Sequence, residues 1–198
     1  MENRESKPKQ YIALKLKDNK NPMRTIPILD EGEFTLADSH AIALYLITKY
    51  GKPEHSYLYP DDIRTRARIH QIMFIGVLFP RLRAVMAPTY SGKLGELSNR
   101  MIVNIVDAYT MLEEYLASSS FLTGNSMTVA DLSVLTTVSS LNGLHPIDGR
   151  KFPKLTKWLN TMNDMDVCRR INAPGSELHV MGLKALMTNY KSNQKSKL

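Results

Sequence analysis

Four things are scarce in these 198 residues, and each scarcity excludes something. There is one cysteine, Cys168, so no internal disulfide can form and a cysteine-stapled scaffold is excluded. No run approaches the roughly 20 apolar residues of a membrane span, and "MENRESKPKQ" is too polar for a secretion signal. His40, His55, His70, His145 and His179 are scattered without the ligand spacing of a zinc site, so no metal is expected. No phosphate-binding glycine loop and no Gly-x-Ser-x-Gly elbow occurs.

Charge is also scarce in the middle of the chain, although the whole carries +7. Residues 1–20 hold Arg4, Lys7, Lys9, Lys15, Lys17 and Lys20 against Glu2, Glu5 and Asp18, a net +3. Lys191, Lys195 and Lys197 add +3 at the other end, which leaves +1 for everything between. A basic groove with interleaved aromatics is not visible, so neither nucleic acid nor a membrane surface is an expected partner. The charge belongs to the ends.

What is present divides in two. "QYIALKLKD" alternates apolar and polar positions and reads as a half-buried edge strand. "TIPIL" and "EFTLA", separated by "DEGE", read as a hairpin. "SHAIALYLITKY" reads as a helix capped by Asp38 or Ser39 and closed by Gly51 in the left-handed conformation. After the loop "GKPEHSYLYP" the pattern is helical. Asp61 or Asp62 caps a long helix to about Met86 with Pro80 as a kink. Ile102, Ile105, Val106, Tyr109, Leu112 and Leu116 form one helical stripe, and the nearly uncharged "MTVADLSVLTTVSSL" reads as a buried central helix. "FPKLTKWLNTM" places Leu155, Trp158, Leu159 and Met162 inward, and "SELHVMGLKALMTNY" is a last amphipathic helix. In "MTVADL" the Thr128 hydroxyl and the Asp131 carboxylate have the spacing of a reciprocal capping box, closed by Met127 and Leu132. That gives Asp131 a structural rather than a catalytic role.

Asn21-Pro22 leading to Ile26-Pro27, Asp38-Ser39 opening the helix in "DSHAI", "SMTVADLS" and "FPKLTKWL" occur in that order. Together they make the chain resemble the cytosolic glutathione transferases, in particular the insect delta and epsilon groups, with epsilon favoured. The resemblance covers about residues 21–187. It implies an α/β plus all-α fold: a thioredoxin-like glutathione-binding domain over 1–52, an all-helical domain over 58–190, and a flexible basic tail over 191–198. It also implies a cis bond before Pro27, which leaves the N–H and C=O of Ile26 free to pair with the cysteinyl unit of glutathione. The γ-glutamyl carboxylate would meet Ser39 and the helix start, with Asp38 at the α-amino group and His40 beside them. Arg24 would meet the glycyl carboxylate. Phe74, Ile75 and Leu78 are candidates for an apolar pocket, with core packing as their other role.

Two positions depart from the family pattern. Met23 and Arg24 stand where the family has Gln-His, and the family's first strand with its thiol-activating residue is missing from the start. The catalytic residue is therefore unassigned, with Ser6 and Tyr11 the nearest hydroxyls. The implied function is conjugation of glutathione, as co-substrate, to hydrophobic electrophiles, at reduced activity. The alternative is a non-catalytic ligand-binding or interaction protein on the same scaffold. A homodimer, a role in detoxification and a cytoplasmic location go with the family. Ser196-Lys197-Leu198 has the form of a peroxisomal address, which leaves that compartment open too.

Overall fold

The computed structural model describes residues 21–22, 25–74 and 78–195. The chain forms two compact units that divide between Tyr59 and Pro60.

In the first unit, β1 (Ile28–Glu31) and β2 (Phe34–Ala37) pair antiparallel, with Ile28 opposite Ala37 and Glu31 opposite Phe34. Gly32 takes the first turn position at φ 76, where a two-residue hairpin needs a residue without a Cβ. Helix α1 (Ser39–Tyr50) packs on both strands, and a 3-10 turn over Pro53–Leu58 follows. The strand expected in "QYIALKLKD" lies outside the described residues.

Gly51 closes α1, but not in the expected left-handed conformation. Its φ of -63 and ψ of 135 are extended, while its N–H still reaches Ile47 O at 2.9 Å. A Cβ on Gly51 would stand 2.2 Å from that same oxygen. Close approach, rather than backbone handedness, requires the glycine.

One side-chain cluster fastens the hairpin to α1. The Glu31 carboxylate, whose side chain is 10% exposed, accepts from Tyr45 OH (2.5 Å), Lys49 Nζ (2.9 Å) and Tyr50 OH (2.5 Å). The hydrogen bond from Tyr45 leads in holding the Glu31 carboxyl down at about 2, with Tyr50 and Lys49 adding to it; Lys49 is raised above the ordinary lysine range by the same partners. Since the folded pKa lies below the usual 4.5, the contribution to stability is complete above 4.5 and is lost as pH falls toward 2. Tyrosine fluorescence of Tyr45 and Tyr50 is therefore expected to report loosening of this unit between those values. Glu31→Gln should abolish that acid step, and an identical step in the variant would refute the assignment.

The second unit contains α2 (Ile63–Phe74), α3 (Leu78–Tyr90), α4 (Asn99–Tyr115), α5 (Val129–Leu144), α6 (Pro153–Asp164) and α7 (Ala173–Lys195), with a π-helical turn over Cys168–Asn172 leading into α7. The cap of α2 is Asp62: its Oδ2 accepts from Thr65 N at 2.7 Å and its carbonyl from Arg66 N. The expected long helix is described as α2 and α3, with residues 75–77 between them outside the described residues. Pro80 lies three residues beyond that interval, and α3 continues past Pro88 to Tyr90. By length and composition the stretch Ile63–Tyr90 also qualifies as a membrane-crossing helix, contrary to the expectation that no run does. Its buried residues Ile69, Ile72, Met73, Leu78, Leu82 and Val85 account for that apolarity, because α2 and α3 both pack on α5.

Helix α5 is the buried centre, lying against α2, α3 and α7. Val129, Val134, Leu135, Val138 and Leu141 fill its faces. Helices α4 and α6 also pack together, and Ile105, Tyr109 and Leu112 on the one and Leu155, Trp158 and Met162 on the other are all close to zero exposure. The tail expected from 191 is helical through Lys195, and Lys191 Nζ is tied to Glu96 at 2.5 Å. Residues 196–198 are outside the described residues.

Candidate functional site

The hairpin and the start of α1 position the residues expected to bind a ligand. The Ile26–Pro27 bond is cis. Ile26 is 48% exposed, and among the described residues neither its N–H nor its C=O makes a hydrogen bond. Its backbone polar groups are thus available to an extended peptide.

At the start of α1, the cap is Asp38 and not Ser39. Asp38 Oδ1 accepts from His40 N at 2.9 Å and Ala41 N at 3.1 Å. To do so Asp38 adopts φ 79 and ψ 121, a conformation that costs a non-glycine residue roughly 1–3 kcal/mol. His40 Nδ1 stands 3.6 Å from the same carboxylate oxygen. Two consequences follow. The amides of His40 and Ala41 are already used, so an incoming anion is left the N–H and hydroxyl of Ser39, with the helix dipole behind them. The exposed Ser39 hydroxyl, relieved of capping, makes no hydrogen bond among the described residues. A negative carboxylate and an uncommitted hydroxyl therefore stand on adjacent residues at the helix start.

The remaining expected residues are distributed differently. Arg24, Ile75, Ser6 and Tyr11 lie outside the described residues. Phe74 is exposed, whereas Leu78 is buried in the core of the second unit. Cys168 is buried, and that burial raises its thiol pKa, which disfavours the reactive thiolate. Among the described residues no three of His, Cys, Asp or Glu gather as metal ligands would.

Asp131 has the structural role its spacing implies. It is fully buried, and four donors reach its carboxylate: Leu122 N (2.9 Å), Trp158 Nε1 (3.0 Å), Thr128 N (2.9 Å) and Thr128 Oγ1 (3.3 Å). Burial pushes its carboxyl above the ordinary range, while these donors pull it back. Sequence spacing showed the link to Thr128. It gave no sign of Trp158 or Leu122, which only tertiary packing brings in.

Residues 104–166 match the family model for the glutathione S-transferase C-terminal domain. Over 161 residues the chain is 35% identical to glutathione S-transferase 1 of Manduca sexta, covering 80% of this chain and 73% of that protein. The chain belongs to the glutathione S-transferase family. An epsilon-class glutathione S-transferase from the housefly, Musca domestica, superposes with a TM-score of 0.75 at 37% identity, covering 87% of this chain and 77% of that one. A glutathione transferase homologue from Drosophila mojavensis, solved with bound glutathione, gives 0.78 at 34% identity, covering 84% and 76%. The fold is that of the glutathione transferases, with a short hairpin unit followed by a helical domain, and its relatives are insect delta- and epsilon-like members.

Proposed function

We propose that this glutathione transferase-type protein binds glutathione through Ile26, Asp38 and Ser39 and conjugates it to apolar electrophiles. The observation that carries this reading is the charge pattern at the start of α1. A plain anion would be repelled by the Asp38 carboxylate. An α-amino acid end places its ammonium at Asp38 and its carboxylate at Ser39, and so satisfies both. Glutathione ends in such a group and is otherwise an extended peptide suited to the free backbone of Ile26. The relative solved with glutathione supports the choice of ligand. Arg24 and His40 complete the proposed set, at the glycyl carboxylate and beside Asp38. Phe74, Ile75 and Leu78 are the proposed pocket residues, Phe74 being the exposed one of the two described.

The test is retention on immobilised glutathione and release by the free peptide, followed by conjugation of a generic electrophile. No retention would overturn the reading; retention without conjugation would favour the non-catalytic alternative. Ile26, Asp38 and Ser39 act on the peptide and the α-amino acid end rather than the sulfur. The thiol is therefore expected to titrate near its free value of about 8.5, with a slow rate still rising from pH 6 to 9. A fast rate that levels off below pH 7 would show a thiolate-stabilising donor, with Ser6 and Tyr11 the first residues to mutate.

The proposed assembly is a homodimer in the cytoplasm with a detoxifying role, as is usual for the family. Ile63 (80% exposed), Phe79 and Val103 leave apolar surface on α2, α3 and α4. Sedimentation at micromolar concentration is expected to give twice the mass of the chain, and a monomer alone would contradict it.

A further inference from the structure

We propose that Asn21 is a positioning residue, which turns the Thr25–Ile26 peptide so that the Ile26 N–H faces the ligand. This rests on the reading of Ile26 as a glutathione contact. Asn21 is only 2% exposed, an unusual place for an amide side chain in a short loop. Its Nδ2 donates to Thr25 O at 2.7 Å and lies 3.3 Å from Thr25 Oγ1. A carbonyl can only accept, so the Asn21 atom facing it must be the amide nitrogen.

The rest follows from peptide geometry. In a trans peptide the C=O and the following N–H lie in one plane and point in opposite directions. Thr25 O is drawn toward the buried Asn21 amide. The Ile26 N–H is thereby directed away from it, and Ile26 is 48% exposed. Water cannot easily replace so buried a donor. Without it, rotation of this one peptide plane would carry the Ile26 N–H off the line of an incoming strand. Asn21 thus acts on the ligand through Ile26 and touches no part of it.

The test is Asn21→Asp, which keeps the shape of the side chain and exchanges its donor for an acceptor. At pH 7.5 the affinity for glutathione, measured by calorimetry, is expected to fall about tenfold below wild type. On acidification the introduced carboxyl takes up a proton, regains an O–H donor and restores the contact. Burial raises the pKa of such a group, so recovery to wild-type affinity at the same pH is expected by about pH 5.5. Unchanged affinity at pH 7.5, or a loss that persists at pH 5.5, would overturn the proposal. The comparison at pH 5.5 stands even where the variant unfolds at pH 7.5. Should the wild type bind no glutathione, the functional reading fails by itself, and the Ile26 amide resonance then carries the test. It is expected to shift in the variant at pH 7.5 and return on acidification, and an Ile26 amide indifferent to the substitution would refute the positioning role.

Discussion

Asp131→Ala is expected to remove about 3–5 kcal/mol of folding stability, the largest effect of any single substitution considered for this chain. The carboxylate is the common acceptor for the loop at Leu122, the start of α5 at Thr128 and the indole of Trp158 on α6. Truncation leaves three buried N–H groups without a partner in a region too tightly packed for water to enter freely. A domain of this kind has only about 5–15 kcal/mol in hand, so much of the variant should unfold under mild conditions. Asp131→Asn separates charge from shape. It retains an acceptor for two of the donors but turns an NH2 group toward Thr128 N, and should cost about 1–3 kcal/mol. Trp158 is the only tryptophan and donates to this carboxylate, so urea unfolding followed by its fluorescence reads the network directly. A loss below about 1 kcal/mol for Asp131→Ala would show that the buried donors find other partners.

The second large effect is on binding. Ser39→Ala is expected to lower glutathione affinity by roughly 10- to 100-fold, the worth of a hydrogen bond to a charged group, with almost no change in stability. That separation depends on Asp38. Because Asp38 Oδ1 holds the amides of His40 and Ala41, removing the serine hydroxyl leaves the cap intact. Asp38→Asn provides the complementary case: the amide oxygen can still cap the helix, but the charge that attracts an ammonium is gone. Affinity should fall while the unfolding free energy stays within a few tenths of a kcal/mol. Asp38→Ala should lose both, with about 1 kcal/mol of stability gone along with the binding. Equal affinity for wild type and Ser39→Ala would leave the start of α1 with no role in recognition.

The parts of this architecture that depend on local chemistry are legible in the sequence. The hairpin is marked by turn residues between apolar runs, α5 by its lack of charge, α6 by its first-turn proline, and the capping box by its spacing. What the sequence conceals depends on which of two suitable neighbours does a job, or on contacts between distant residues. Asp38 and Ser39 are both good caps, and only the hydrogen bonds from His40 N and Ala41 N to Asp38 Oδ1 show which is used. Gly51 fits either a left-handed cap or a close approach, and the 2.2 Å clearance to Ile47 O decides it. Glu31 is an ordinary acidic residue at the end of a short strand until Tyr45, Lys49 and Tyr50 close on it from α1. At the site, the Asn-Pro to Ile-Pro segment and Asp-Ser pair carried the resemblance, whereas the burial of Asn21 has no local signature.

The central claim is that the start of α1 recognises an α-amino acid end, and calorimetric titration with glutathione beside cysteinylglycine tests it most directly. Cysteinylglycine keeps the thiol and the glycyl carboxylate but lacks the γ-glutamyl unit that Asp38 and Ser39 are proposed to hold. Saturable binding of glutathione is expected, with cysteinylglycine weaker by at least about 100-fold, and Ser39→Ala should narrow that gap from the glutathione side alone. Equal affinities for the two peptides, or no binding of either, would contradict the account.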